Sequence, residues 1–349
     1  MRPFEYVNPT TVDEALALLG QDGDRAPRLL AGGTDLLTLM KADIAAPSRL
    51  VNLKRLAEVP SGIEETAQGV TLGALTPLVD LETNPLIQQR YSVLAAAAAV
   101  AATPQLRNMA TLGGNLLQRP RCWYYRNPHL HCWLKGDATC PAYEGENQLH
   151  ALFGGGPCYA VHPSDIAPAL LALDAVVLLR GRHGERLLPL AEFFAAPVAE
   201  RRTETVVPSD ELLLAVHIPA LPGGTRSTYL KAMDRKVWAF ALVGVAMVLH
   251  LGAEEEGPSG PAPRRLRQPR IETARLVLSG VAPIPWRVMA AEQVLIGTEV
   301  SDALFARAAE VALAAAEPLS QNAYKIPLAR ALIRQGLATL TAGTTEVRV

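Results

Sequence analysis

The sequence predicts an α+β chain, in which two α/β units form an N-terminal domain and an antiparallel sheet with helices on one face follows. Short apolar strands alternate with helical segments over the first part of the chain, which is typical of α/β units. A linker rich in Pro and Gly comes next, at residues 221–224. Two long strand patterns and three helical ones occupy the remainder. We therefore expect domains at residues 1–224 and 225–349, with subdomains at about 1–55 and 56–224.

Composition excludes several classes of partner. The chain has 349 residues, of which 49% are hydrophobic, and its net charge is −1. Because no strong basic field exists, nucleic acid is not an expected partner. No apolar run reaches the ~20 residues that span a bilayer, so no membrane insertion is expected. The N-terminus lacks the apolar core of a signal peptide, which predicts a cytoplasmic protein, although co-export with a partner would carry it to the periplasm.

The first unit has the pattern of a βαβ arrangement. A helix is predicted over residues 11–19, with Thr10 or Thr11 as its N-cap and acidic residues in the first turn. The strand 27–31 runs into a glycine pair, and the helix Leu36–Lys41 follows it. A closing strand is predicted at Leu50–Leu53. In such a strand–loop–helix unit, the loop is a place where an anion can bind backbone N–H groups.

Two glycine-pair loops are the first candidate binding feature. One contains Gly32 and Gly33, followed by Thr34 and Asp35, and the other contains Gly113 and Gly114. Thr111 precedes the second pair and Asn115 follows it. Glycines let backbone approach a phosphate closely, although either loop alone is also explained by a tight turn. Two such loops in adjacent units predict a clamp for the two phosphates of one dinucleotide.

All four cysteines of the chain fall in one irregular segment, residues 119–160. They are Cys122, Cys132, Cys140 and Cys158. Four thiolates can hold one tetrahedral metal ion or one iron–sulfur cluster. The spacing lacks the paired C-x2-C of most zinc sites and favours [4Fe–4S], while zinc and buried free thiols stay open at this point. The histidines of the segment are interpreted as surface groups or as neighbours of the ligands; they are His129, His131 and His150.

The rest of the chain completes both domains. Ser164 is a good N-cap for a helix at 165–173, and this structural role alone explains the Ser-Asp pair. Further strands are predicted at 175–179, 185–189, 211–219, 228–246, 240–251 and 271–279. Residues 252–270 are expected to form a hairpin tip. Helices are predicted at 286–296, 301–315 and 324–339. On the strand after the linker, one of Lys231, Arg235 and Lys236 could reach cofactor phosphates, if these residues are not simply a solvated edge.

Four motifs together resemble a known family. They are LLAGGTDLL at 29–37, ATLGGNL at 110–116, HPSDIAPALLALDA at 162–175 and SGVAPIPWR at 279–287. Their order and spacing resemble the FAD-binding subunit of the xanthine dehydrogenase family of molybdenum hydroxylases. The cysteine segment is most similar to that of the medium subunit of periplasmic-type aldehyde oxidoreductase, which binds a [4Fe–4S] cluster beside FAD. The β subunit of 4-hydroxybenzoyl-CoA reductase, whose cluster loop has different spacing, ranks second.

The resemblance implies a PCMH-type FAD-binding domain of two α/β subdomains, followed by a C-terminal α+β flavoprotein domain. It places FAD contacts on the following residues: Leu30, Ala31, Gly32, Gly33, Thr34, Asp35, Thr103, Thr111, Gly113, Gly114, Asn115, Asp165 and Lys231. It also assigns the [4Fe–4S] ligands to Cys122, Cys132, Cys140 and Cys158.

The function that the resemblance implies is electron transfer within a larger complex. The expected partners are a molybdopterin-binding large subunit and a [2Fe–2S] small subunit, in a heterotrimer or its dimer, together with an external electron acceptor. No catalytic residue is assigned, because the flavin carries the chemistry and hydroxylation would take place on another chain. Two other classes are weighed beside this one: a zinc-stapled nucleotide-binding scaffold without flavin, and a self-contained flavoprotein oxidase.

Overall fold

The computed structural model describes residues 1–20, 23, 25–252 and 269–342. The expected hairpin tip therefore lies, from residue 253 to 268, outside the described residues. The strands are β1 (Glu5–Val7), β2 (Arg28–Leu30), β3 (Arg49–Asn52), β4 (Ile63–Thr66), β5 (Gly69–Gly73), β6 (Val176–Gly181), β7 (Gly184–Pro189), β8 (Leu212–Pro219), β9 (Arg226–Ala232), β10 (Val243–Leu251), β11 (Ile271–Ser279) and β12 (Trp286–Arg287).

The α-helices are α1 (Val12–Ala17), α2 (Leu36–Lys41), α3 (Leu78–Thr83), α4 (Pro85–Arg90), α5 (Ser92–Ala99), α6 (Pro104–Arg107), α7 (Leu112–Leu116), α8 (Trp123–Arg126), α9 (Ile166–Ala172), α10 (Leu190–Phe193), α11 (Met289–Leu295), α12 (Asp302–Leu313) and α13 (Lys325–Thr341). A 3₁₀ helix, Trp133–Lys135, lies in the cysteine segment. None of the helices in the described ranges is long and apolar enough to cross a membrane.

Two sheets precede the linker. The first is parallel, in the order β1-β3-β2, as the βαβ pattern predicts. The second is antiparallel, in the order β4-β5-β8-β6-β7. Helices α5 and α9 pack beside them, and α9 is buried along its whole length. Ser164 caps α9 as expected, since its hydroxyl accepts a hydrogen bond from the Ala167 N–H at 2.9 Å.

The last sheet is antiparallel in the order β12-β11-β10-β9, which confirms the α+β prediction. Helices α11 and α13 pack against one face, as expected. The sequence predicted helices on one face only, but α5 and α9 pack against the opposite face. Side chains of β10 alternate between the two sides: Val245 and Met247 join the core under α13, whereas Ala246 and Val248 join the core of the preceding domain.

Two expected elements have different bounds in the structure. The single strand predicted over 228–246 is two strands, β9 and β10, joined by an exposed connection around Trp238. The helix predicted from residue 286 begins only at Met289, because Trp286 and Arg287 pair with β11 as β12. In both places the apolar pattern is present, and sheet pairing decides which part of it becomes strand.

The cysteine segment is fastened to the C-terminal domain by buried polar side chains. The Lys325 ammonium group donates to the carbonyl oxygens of Leu149, His150 and Gly280 at 2.9, 2.9 and 2.7 Å. Asn322 donates to the carbonyl oxygens of His150 and Ala151 at 3.1 and 3.0 Å. Lys325 and Asn322 are both fully buried, so these bonds are made away from water, where an unpaired carbonyl is costly.

Replacing Lys325 with Met should lower the free energy of unfolding by on the order of 3 kcal/mol or more, because the carbonyl groups of Leu149 and Gly280 lose their donor and that of His150 loses one of two. Urea denaturation of the purified chain measures this loss. Lys54→Met is the control, since Lys54 is exposed. Equal stabilities of the two variants would contradict the role assigned to Lys325.

A second prediction concerns acid stability. Burial lowers the pKa of His162 to about 4, from 6.5. Between these pH values the unfolded chain binds a proton that the folded chain does not, so stability should fall as the pH falls from about 6.5 to 4. The full contribution is about 3 kcal/mol. His162→Gln should flatten this part of the stability-against-pH curve, and the exposed His183→Gln should leave it as in the wild type. Parallel curves for all three proteins would refute the assignment.

Candidate functional site

The two glycine loops lie against each other. The first joins β2 to α2, and the second opens α7. A Cβ atom on Gly32 would stand 2.0 Å from the carbonyl oxygen of Met109, just before the second loop. Only glycine fits so close to the neighbouring backbone. The sequence predicted that the two loops bind one dinucleotide together, and in the structure they are in direct contact.

A cavity of about 700 Å³ opens beside this contact. Its volume is in the range of small-molecule and cofactor sites. Ten of the thirteen predicted FAD contacts line it: Leu30, Ala31, Gly32, Gly33, Thr34, Asp35, Thr111, Gly113, Gly114 and Asn115. At Gly114, an added Cβ would meet only the hydroxyl of Thr111, at 3.0 Å, and would otherwise face open space.

The two loops differ in the backbone donors that they offer. In the second loop, the N–H groups of Leu112 and Gly113 donate to carbonyl oxygens of residues 76 and 74, both at 2.9 Å. The Gly114 N–H donates to the Thr111 hydroxyl at 3.3 Å. In the first loop, by contrast, the N–H groups of residues 32–35 have no acceptor within the ranges that the structure describes. Among the described residues, the first loop therefore offers a run of unpaired N–H donors, whereas the two glycines of the second loop contribute a surface without side chains.

Positive charge predominates around the cavity. Its lining includes six cationic side chains (Arg2, Arg28, Arg119, Arg121, Lys135 and Arg202) and four acidic ones (Asp35, Asp43, Glu204 and Glu211). Arg119 forms an ion pair with the buried Glu204 at 2.8 Å. Burial, followed by repulsion from Arg126, lowers the pKa of Arg121 to about 10, even though Asp35 acts in the opposite direction. This excess of positive charge in the cavity lining favours an anionic ligand.

Three predicted FAD contacts lie outside the large cavity. Thr103 caps α6, where its hydroxyl accepts from the Leu106 N–H at 3.3 Å. Asp165 lines a separate cavity of about 170 Å³, together with Arg121 and Cys122. Lys231 lines neither cavity. Its ammonium group instead contacts the Asp165 carboxylate at 2.8 Å.

The Asp165–Lys231 pair belongs to a buried network between α9 and β9. The Tyr229 hydroxyl donates to the second carboxylate oxygen of Asp165 at 2.7 Å and lies 2.8 Å from the Ser279 hydroxyl. Lys231 also donates to the Val100 carbonyl at 3.0 Å. Burial raises the pKa of the Asp165 carboxyl group, while Lys231 and Tyr229 oppose that change. These contacts give Asp165 and Lys231 a structural role at the seam between the domains.

The four cysteines come together in one small apolar core. Cys132 and Cys158 are buried, and Cys122 and Cys140 pack against the same core, which also contains Leu39, Tyr125, Trp133, Leu134 and Ala160. The Sγ atom of Cys122 is 3.2 Å from Nε2 of His150. The structure thus joins residues far apart in sequence and places His150, but not the exposed His129, beside a thiol.

The thiols differ in acidity. A hydrogen bond from the Cys158 thiol lowers the pKa of Cys140 to about 6, whereas burial raises that of Cys122 to about 12. Among the described residues, no group of three or more His, Cys, Asp or Glu side chains has an arrangement that could hold a metal ion. The donor set is therefore of the right chemical type, while its geometry in this structure is not that of a closed ligand cage.

The arginines that flank Cys122 were not predicted as site residues from the sequence. The Asp35 carboxylate accepts hydrogen bonds from the Arg126 side chain at 2.8 Å and from the Arg119 backbone N–H at 2.9 Å, and it forms an ion pair with Arg121 at 2.9 Å. The run RPRCWYYR at 119–126 was the available signal, because three arginines so close together need carboxylate or phosphate partners. Which carboxylate they meet could not be read from the sequence.

The two domains match known protein families. Residues 2–221 match the family model described as the FAD binding domain in molybdopterin dehydrogenase, and residues 228–340 match the CO dehydrogenase flavoprotein C-terminal domain. In solved structures, the carbon monoxide dehydrogenase of Hydrogenophaga pseudoflava that lacks the Mo-pyranopterin moiety contains a similar chain. That chain has a TM-score of 0.73 and 28% identity, with 98% of this chain and 99% of that chain covered.

Curated relatives extend over the whole chain. It is 37% identical to the aldehyde oxidoreductase FAD-binding subunit PaoB of Escherichia coli K12, over 98% of this chain and 99% of the relative. It is 30% identical to the carbon monoxide dehydrogenase medium chain of H. pseudoflava, over 96% of each. These matches confirm the resemblance and favour a flavoprotein over the nucleotide-binding scaffold. The chain belongs to the FAD-binding medium subunits of the molybdenum hydroxylase family, and FAD is the cofactor of its N-terminal domain.

Proposed function

We propose that the chain is the electron-transfer subunit of a molybdenum hydroxylase complex of the aldehyde oxidoreductase type. In this role it accepts electrons from a molybdopterin-binding large subunit through a [2Fe–2S] small subunit and delivers them to an external acceptor. The relatives named above support this assignment, since one is a subunit of an aldehyde oxidoreductase and another is the medium chain of a dehydrogenase. A cytoplasmic location and the domain boundary at 224/225 stay predictions.

The observation that carries the FAD site is the set of free backbone donors in the first glycine loop. The N–H groups of residues 32–35 lack acceptors in the described chain and line a cavity with surplus positive charge. A pyrophosphate accepts hydrogen bonds from such groups and is attracted by the arginines. Gly114 allows the phosphates to approach the second loop, because no side chain occupies that space.

FAD, when bound, supplies the redox chemistry. The chain's own residues bind and orient the cofactor. The contact between Gly32 and the Met109 carbonyl fixes the distance between the two loops. The Thr111 hydroxyl holds the start of α7, and the Asn115 side chain bonds that of Ser164, at the start of α9. The loops are thereby connected to the buried framework, so the cofactor site is preorganised.

We also propose that Cys122, Cys132, Cys140 and Cys158 hold a [4Fe–4S] cluster. Their common location in one small core supports this proposal. So does the type of donor, since four cysteine thiolates are the usual ligands of such a cluster. A cluster with four thiolates would replace the Cys158–Cys140 hydrogen bond. His150 would then donate to the sulfur of Cys122, an interaction that tunes iron–sulfur sites.

Gly114→Val should lower FAD affinity at least about tenfold, because the new side chain occupies the space that the phosphates need. Flavin content per chain and the Kd for FAD of the reconstituted complex measure the effect. Gly223→Val is the matched control, since an added Cβ there meets nothing and the residue lies outside the cavity. Full FAD occupancy in Gly114→Val would contradict the proposed position of the pyrophosphate.

Metal analysis tests the cluster. An anaerobically purified complex should contain FAD and four irons in addition to those of its [2Fe–2S] centres. Cys132→Ser should lose the additional iron and its EPR signal, while His129→Ala, an exposed change in the same segment, should keep both. Zinc in place of the additional iron would refute the [4Fe–4S] cluster and identify the cysteines as a structural zinc site. FAD without additional metal would keep the flavoprotein assignment and refute the cluster.

A further inference from the structure

Helix α2 belongs to both the FAD site and the cysteine core. Its N-terminal side continues directly from the first glycine loop, whose residues line the large cavity. Its other side carries Leu39, which is buried in the same apolar core as Cys132 and Cys158. Ile44 and Ala45, just beyond the helix, pack against that core as well. A change in the packing around the thiols therefore acts directly on the helix that anchors the loop.

Asp35 makes a second and more specific connection. All three partners of its carboxylate come from residues 119–126, the part of the chain that contains Cys122: two of them donate hydrogen bonds and Arg121 forms an ion pair. The Asp35 side chain is only 16% exposed, so these charged contacts are largely shielded from water. Asp35 is also the last residue of the loop that lines the cavity and whose N–H groups have no acceptor among the described residues. The first glycine loop is thus held in position by the arginines around a predicted cluster ligand.

The charge balance at this contact favours an anion nearby. Arg121 and Arg126 share one oxygen of Asp35, so two cations face one carboxylate. Arg121 also lines the large cavity, and its Nε atom is buried without a hydrogen-bond partner among the described residues. A diphosphate in the cavity would supply the negative charge that this cluster of side chains lacks.

From these contacts we infer that Asp35 is a positioning residue that couples the cysteine site to FAD: a filled metal site fixes Arg119–Arg126, and through Asp35 this holds the first glycine loop in its FAD-binding form. The inference rests on the proposed function, because it requires both FAD and a metal cluster in this chain. Coupling of this kind is reciprocal, so FAD should equally slow the loss of metal.

The test compares FAD affinity with and without the metal in the full complex. The Kd for FAD is measured by flavin fluorescence before and after anaerobic removal of the additional iron with a chelator. Circular dichroism checks that the stripped protein stays folded. In the wild type, metal removal should weaken FAD binding about tenfold. In Asp35→Asn, which keeps the shape but removes the charge, FAD should bind more weakly from the start and metal removal should change its Kd less than twofold.

Asp174→Asn is the matched control. Asp174 likewise accepts from two arginines, Arg275 and Arg287, both at 2.8 Å, but it lies outside both cavities. This variant should keep the full tenfold effect of metal removal. Equal FAD affinity of the wild type with and without metal would overturn the coupling and leave the proposed function intact. A wild-type complex that contains FAD but no additional metal would overturn the cluster and the coupling together.

Discussion

The structure depends on a sheet that is buried on both faces. Along β10, alternate side chains enter two different hydrophobic cores, one beneath α13 and one shared with α5 and α9 of the preceding domain. Burial of this kind is worth about 25 cal/mol for each Å² of apolar surface. Because the same strand contributes to both cores, the two domains cannot separate without exposing apolar surface on each side. The FAD cavity and the cysteine core are consequently held at a fixed distance from the C-terminal domain.

Polar groups then decide the details that apolar packing leaves open. Lys325 and Asn322 fasten the cysteine segment at one end, and Asp35 fastens it at the other. Lys325 in particular is the donor to the carbonyl groups of Leu149 and Gly280, and a buried carbonyl left unpaired costs more than a well-made hydrogen bond contributes. A long segment with little regular structure is thereby fixed in place. An irregular segment of this length in a compact protein is usually functional, and here it contains the four thiols while its residues Arg119, Arg121 and Lys135 line the large cavity.

The chemistry of the site follows from the unequal use of two similar loops. Both contain a glycine pair, and from the sequence they were equivalent candidates for phosphate binding. In the fold, the N–H groups of Leu112 and Gly113 donate to carbonyl oxygens just beyond β5 and that of Gly114 donates to the Thr111 hydroxyl, whereas those of residues 32–35 have no acceptor among the described residues. The two loops therefore offer different things to a ligand: the first offers unpaired N–H groups and the glycines of the second offer open space. The arginines of the cysteine segment add positive charge, which neither loop contains.

The sequence by itself determined the local elements, the two glycine loops, the clustering of the cysteines and the family. Turn residues, caps and apolar periodicity depend on neighbours in the chain, so α2, α9, β6, β7 and β11 were predicted within one or two residues. Only the tertiary structure decided that Asp165 pairs with Lys231, that Thr103 lies away from the cavity and that Asp35 meets Arg121 and Arg126. Those pairings join residues that are distant in sequence. The sequence indicates that a charged side chain needs a partner if it is buried. Which partner it contacts depends on how the helices and strands pack together.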